Sequence, residues 1–138
     1  MSEINDWNAT VIREFRANGG VVGGQFSGTP LLLLHTTGAR SGKAYVSPLA
    51  YTRDGDRVVI IASKGGAPEN PAWYHNLRAN PQVKVELGGE IFEARATVAA
   101  EPERTRLFNQ MGAQMPGFLE YQRNTERIIP VVVLERLS

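Results

Sequence analysis

Apolar positions along the chain fall into two rhythms. Near the start, Ile4, Trp7, Val11 and Phe15 recur at helical spacing, with Arg13, Glu14 and Arg16 on other faces. This predicts a helix over about 3–18, ended by Gly19-Gly20 as a C-terminal glycine pair should end it. Such a helix packs its apolar stripe on a core; the alternative uses are a pocket lid or contact with a membrane surface. From Pro30 onward the rhythm turns to that of strands. Leu31-Leu32-Leu33-Leu34 is a short continuous apolar run suited to a buried strand. Val46 to Thr52 and Arg57 to Ala62 flank Asp54-Gly55, a strong hairpin signal. Val83, Val85 and Leu87 alternate with Lys84 and Glu86, and Gly88-Gly89 turn the chain into Ile91 to Ala96, a second hairpin. Ile129 to Leu134 reads as the last strand, and Pro130 within it suggests an edge or a bulge.

Helical signals interrupt the strands twice. Asn70-Pro71 starts a short helix through Trp73, Tyr74 and Leu77, because proline suits the first helical position. Glu101 to Met115 carries Leu107, Phe108 and Met111 on one face, and a further turn or helix covers Phe118 to Thr125. No repeat, linker or low-complexity tract divides the chain. About six strands with peripheral helices predict a small barrel, mainly β (α+β), in one domain spanning 1–138.

Composition removes several chemistries. Cysteine is absent from the 138 residues, which excludes disulfides, thiolate nucleophiles and cysteine-ligated metal centres and fits a reducing cytoplasm. A formal net charge of +1 argues against nucleic-acid binding through a broad basic field. The polar N-terminus lacks a signal-peptide core, and no apolar run is long enough to span a bilayer. His35 and His75 are the two histidines, without a metal-binding pairing around them. His35 at the end of an apolar strand reads as a structural histidine rather than a ligand. Gly38-Ala39-Arg40-Ser41-Gly42 lies between two strands, so Ser41 lacks the strand-to-helix elbow of a serine hydrolase. Dinucleotide-binding and P-loop signatures are missing.

What remains is a group of glycine-rich basic loops at strand ends. Thr36 to Lys43 joins the apolar strand to its neighbour, and its small residues let backbone N–H groups approach an anion beside Arg40 and Lys43. Ser63-Lys64-Gly65-Gly66 follows another strand. Together they suit two sides of a groove for a phosphorylated or polycarboxylate ligand, and they serve equally as plain polar connections. Trp73 and Tyr74 are adjacent on a short helix, so that one faces the core and the other borders a pocket. Met115 to Tyr121 supplies an aromatic wall for an apolar cavity.

In this order the segments resemble the deazaflavin-dependent nitroreductase family. The resemblance is carried by Thr36-Thr37-Gly38-Ala39-Arg40-Ser41-Gly42, Ser47-Pro48-Leu49, Asp54-Gly55-Asp56-Arg57-Val58 and Ser63-Lys64-Gly65-Gly66. It continues through Asn70-Pro71-Ala72-Trp73-Tyr74-His75-Asn76-Leu77, Ala79-Asn80-Pro81 and Ile129-Pro130-Val131-Val132, and runs from about Gly24 to the C-terminus. It implies an FMN-binding-protein-like split β-barrel that uses reduced coenzyme F420 to reduce a small electron-poor acceptor, a quinone, nitroaromatic or activated enone. By the same resemblance, Arg40 and Ser41, helped by Lys43, contact the anionic tail and phosphate region. Val46, Ser47, Pro48 and Leu49 lie along the coenzyme. Ala62, Ser63 and Lys64 hold the ring–ribityl–phosphate part, and Ala72, Trp73, Tyr74 and Asn76 close over it. Tyr121 matches a tyrosine near ring and substrate, where it either hydrogen-bonds the acceptor or packs against the ring. Relatives often carry arginine where this chain has Tyr45. FMN in place of the deazaflavin, or a coenzyme or hydrophobic-ligand carrier without turnover, are the alternatives. A monomer or a homodimer is expected, with no nucleic-acid partner.

Overall fold

The computed structural model describes residues 2–20 and 30–137, with the side chains of 2–8 and 65 outside that description. Its elements in chain order are α1 (Ser2–Ala17), β1 (Leu31–Thr37), β2 (Ala44–Ala50), β3 (Thr52–Asp54), β4 (Arg57–Ile61), α2 (Ala72–Ala79), β5 (Gln82–Leu87), β6 (Glu90–Val98), α3 (Glu103–Gln114), α4 (Gly117–Arg123) and β7 (Val131–Arg136). The seven strands form one antiparallel sheet in the order β2-β1-β5-β6-β7-β4-β3. The two edge strands, β2 and β3, are separated in sequence by Tyr51 alone. A flat sheet would hold them a full sheet-width apart, so the sheet must curl until its edges meet at that corner. The mainly β split barrel expected from the sequence is the architecture observed.

Burial on both faces explains the apolar runs. In β1, Leu32 and Leu34 point into the barrel and Leu31 and Leu33 point outward beneath Val11 and Phe15 of α1. In β4 and β7, Val58, Ile60, Val132 and Leu134 face the interior. Val59, Ile61, Val131 and Val133 lie under Leu107, Phe108 and Met111 of α3. Strand β5 keeps its alternation, Val83 and Val85 inside and Lys84 exposed. Each fully buried leucine or isoleucine contributes roughly 1.5–3 kcal/mol of burial free energy. Helix α1 thus packs on the barrel, as its pattern predicts for Val11 and Phe15; Ile4 and Trp7 lie outside the described side chains.

Three sequence expectations change. The segment 46–52 is not one strand: β2 ends at Ala50 and β3 begins at Thr52, because the chain must turn the barrel corner there. Strand β7 is interior, paired to β6 on one side and β4 on the other. Pro130 stands just ahead of it, where its missing N–H is not needed by the ladder and its carbonyl accepts the N–H of Ala62 at 3.0 Å. Glu86, expected on the solvent face of β5, is buried: Arg16 Nε and Nη2 donate to its two oxygens at 3.0 and 2.6 Å, and His35 Nε2 lies 2.6 Å away. This cluster fastens the C-terminal end of α1 to the barrel. It also makes His35 a partnered structural histidine.

Candidate functional site

The interior positions of β1 and β2 grow polar toward one end of the barrel. Register places Leu32 opposite Leu49, then Leu34 opposite Ser47, then Thr36 opposite Tyr45. Because paired residues share a face, this apolar-to-polar series opens the core into a mouth. Helix α2 lies across it, with Trp73, Tyr74 and Leu77 buried in the barrel cluster. Between α2 and the β1–β2 loop is a cleft of about 650 Å³. Its loop side is Gly38, Ala39, Arg40 and Ser41; its strand side is Thr36, Tyr45 and Ser47; its helix side is Ala72, Trp73, His75 and Asn76. That volume suits a drug-sized or cofactor-sized ligand.

The loop is held in shape by its own backbone and by α2. Gly38 N–H donates to the Lys43 carbonyl at 2.7 Å and Gly42 N–H to the Gly38 carbonyl at 3.0 Å. A Cβ on Gly38 would sit 2.6 Å from Ser41 Oγ and 2.8 Å from the Tyr45 ring, so any larger residue would have to displace these two side chains from the cleft wall. Across the cleft, Asn76 Oδ1 accepts the Ala39 N–H at 2.9 Å, and Asn76 Nδ2 donates to Thr36 Oγ1 at 3.4 Å. Asn76 thus uses one acceptor and one donor to clamp helix, strand and loop together. Arg40 and Lys43 are exposed, and neither forms an ion pair or side-chain hydrogen bond among the described residues. No carboxylate lines the cleft among the described residues. A basic, acid-free mouth beside a buried tryptophan favours an anionic ligand with an apolar ring.

The expected site residues divide. Arg40, Ser41, Ser47, Ala72, Trp73 and Asn76 line the cleft together. Lys43 stands at the end of the same loop. Leu49 shares their face deeper in, packed against the barrel core. Val46 and Pro48 lie on the opposite face of β2, opposite His35 and Leu33, with Val46 packed against the α1 cluster. Their side chains do not meet the cleft, because residues alternate across a strand. Tyr74 belongs to the barrel core, its ring edge-on to His75 at 5.6 Å with the Arg78 guanidinium 5.7 Å above it. Of the adjacent aromatics, Trp73 is the one bordering the cleft.

Ala62, Ser63 and Lys64 form a separate group after β4. Ala62 and Ser63 are buried, and the chain makes a short 3-10 turn over Lys64–Gly66 with Lys64 at φ +47°. Lys64 Nζ lies 4.0 Å from Glu69, outside the cleft lining. Tyr121, on α4, is half-buried against the α3 cluster with Phe118 edge-on at 5.5 Å. It lies beside the 3-10 turn, since a Cβ on Gly66 would stand 2.9 Å from the Tyr121 carbonyl oxygen. Sequence reasoning named the Thr36-to-Lys43 loop as one side of a groove, and the cleft bears Thr36, Gly38 and Ala39 from it, but it did not name Tyr45 or His75 as lining residues. The period-2 step from Leu32 through Leu34 to Thr36, and from Ser47 back to Tyr45, carried that signal.

Fold and site together define a split-barrel protein with a cleft at the barrel mouth, lined by Arg40 and Ser41 on one side and Trp73 on the other. Comparison with known proteins gives the family: residues 7–136 match the F420H(2)-dependent quinone reductase family, and the chain belongs to it. It is 43% identical over 126 residues to a Mycobacterium tuberculosis protein named F420H(2)-dependent quinone reductase, covering 88% of this chain and 85% of the relative. Among solved structures, an F420-H2 dependent reductase superposes with a TM-score of 0.71 at 37% identity, over 77% of this chain and 94% of that one. A structure titled a domain-swapped dimer superposes at 0.73 and 34% identity, over 96% and 100%. The enzyme class inferred from the motifs, an F420-dependent oxidoreductase, is the one these relatives carry.

Proposed function

We propose that the mouth cleft binds coenzyme F420 and that the protein reduces a quinone with it. The observation that carries the reading is the cleft itself: Arg40 and Ser41 face Trp73 across a carboxylate-free opening whose two walls Asn76 ties together. The donor set fits the group. Phosphate and glutamate oxygens suit the charged and hydroxyl donors of Arg40, Lys43, Ser41 and Ser47, and the flat deazaflavin suits the indole of Trp73. Gly38, Ala39 and Ala72 leave the backbone approachable.

When bound, the coenzyme supplies the hydride. The chain's own residues then hold the ring in one pose, keep water from it and leave one face open to the acceptor. In this reading Ser63 and Lys64 border the same ligand from the 3-10 turn. The Tyr121 hydroxyl, beside that turn, orients the acceptor oxygen as negative charge develops on it. No protein nucleophile is required. The chain acts as a monomer or homodimer in the cytoplasm, and its acceptor is a small molecule.

The deciding experiment titrates the purified protein with F420 and separately with FMN, then supplies reduced F420 with a panel of quinones. F420 binding with quinone turnover is expected. Binding of FMN alone refutes the coenzyme assignment, and F420 binding without turnover makes the protein a carrier.

A further inference from the structure

Between α4 and β7, outside the cleft, Arg127 makes the densest set of hydrogen bonds of any described side chain. Its Nε donates to the Ala67 carbonyl at 2.9 Å, and Nη2 to the Ser63 carbonyl at 2.7 Å. Its Nη1 donates to the Ala62 carbonyl at 3.2 Å and to Asn70 Oδ1 at 2.7 Å. One planar guanidinium thus holds both ends of the turn after β4 and the residue that leads into α2. Arg127 is itself held: Gln122 Nε2 donates to the Arg127 carbonyl at 2.8 Å, while Gln122 Oε1 accepts from Arg104 at 2.8 Å and from the Ile129 N–H at 3.0 Å. A chain of hydrogen bonds therefore runs from α3 through α4 to the turn.

We infer that Arg127 is the positioning residue that sets the Ser63–Lys64 turn and the start of α2 for the coenzyme, without touching it. Trans peptide units place C=O and N–H on opposite sides. Drawing the Ala62 and Ser63 carbonyls toward Arg127 therefore turns the N–H groups of Ser63 and Lys64 the other way, and neither has an acceptor among the described residues. Together with the turn's own bonds, Gly66 N–H to the Ser63 carbonyl at 2.9 Å and Ala67 N–H to the Lys64 carbonyl at 3.1 Å, the same pull keeps Lys64 at φ +47°, a conformation a lysine leaves readily when released. Asn70 precedes Pro71-Ala72-Trp73, so the fourth bond fixes the entry of the helix that carries the cleft's tryptophan. A lysine has one ammonium and no planar fork, and it cannot reach four acceptors spread over nine residues.

The inference rests on the functional reading above. Its test compares wild type, Arg127→Lys, Arg127→Met and, as a control, Arg123→Ala on the exposed face of α4. Three readouts are taken on the full chain: amide exchange without coenzyme, F420 affinity, and the separate kcat and KM for F420. Arg127→Lys should raise exchange within 63–74 while β4 and β7 stay protected. It should raise the Kd and KM for F420 at least tenfold and leave kcat at saturation within about threefold. Arg127→Met should do the same or more, and the control should match wild type. Wild type that fails to bind F420 overturns the functional reading and this inference with it. Wild type that binds, with an equally tight Arg127→Lys, overturns this inference alone. So does a loss of protection spread evenly over β4, β7 and the turn, which marks a general brace.

Discussion

Asn76 Oδ1 accepts the backbone N–H of Ala39 at 2.9 Å, joining a helix and a strand-end loop that lie 37 residues apart. The pair spans the cleft, and the bond to Thr36 adds the strand to the same clamp. A loop rich in glycine and serine has little stiffness of its own, so this contact gives the basic side of the mouth a fixed position relative to Trp73.

Replacing Asn76 by Ala should therefore affect both fold and function. The lost bond and the stranded Ala39 N–H together cost about 1–2 kcal/mol of stability. F420 affinity should fall further than stability alone explains, since a freed loop must be ordered on binding. Denaturant unfolding and a coenzyme titration on the same variant measure the two effects. An affinity equal to wild type would remove the clamp from the binding argument.

Arg40 is the opposite case. It is exposed and makes no described contact, so Arg40→Ala should leave the melting temperature within a degree or so. Coenzyme binding should weaken by about 1–2 kcal/mol through loss of a charge-assisted contact, and the difference should shrink as salt rises. Titrations at low and high ionic strength check both statements.

Gly66 has φ +86°, and a Cβ there would stand 2.9 Å from the Tyr121 carbonyl oxygen. Gly66→Ala combines backbone strain with a clash against main-chain atoms that cannot rotate away. A destabilisation on the order of 1–3 kcal/mol is expected. Near-ultraviolet circular dichroism should report a displaced Tyr121. A variant as stable as wild type, with unchanged aromatic signals, would show that turn and helix are not in contact.

Acid sensitivity follows from four carboxylates held below their ordinary values, Asp54, Glu86, Glu101 and Glu103, of which Asp54 and Glu86 tie elements together across the fold. Hydrogen bonds from Arg106 and then Arg57 hold Asp54 down at about 2. Arg16, with a smaller contribution from His35, holds Glu86 below its ordinary value against the opposing effect of burial. A carboxylate depressed in the folded state lends full stability above its unfolded value, near 4, and loses it as pH falls through the folded value. Melting temperature should thus be level above about pH 5 and fall toward pH 2. Asp54→Asn should flatten the lowest part of that limb, and Glu86→Gln should reduce the slope while loosening α1. Scanning calorimetry from pH 2 to 6 reads all three curves.

Much of this architecture is written locally in the chain. Alternation at 83–87, the unbroken apolar runs at 31–34 and 131–134, Asp54-Gly55 and Gly88-Gly89 each express a constraint that acts within a few residues, so strands, hairpins and helices could be placed from them. The strand-end loop bearing Arg40 and Ser41 was visible for the same reason, as was the helix start at Pro71. Long-range pairing follows no such rule. Which face of β2 meets the cleft depends on register with β1, and that register turned Val46 and Pro48 toward α1. Whether Trp73 or Tyr74 borders the opening depends on how α2 lies in the barrel mouth. Pro130 looked like an edge signal, yet β7 sits between β4 and β6, because the barrel closes around it. Arg127 and Gln122 had no local mark at all, for a guanidinium finds its acceptors only when chain segments some sixty residues distant come within 3 Å. Neighbour-to-neighbour physics sets the elements; the convergence of a site is a property of how the sheet curls.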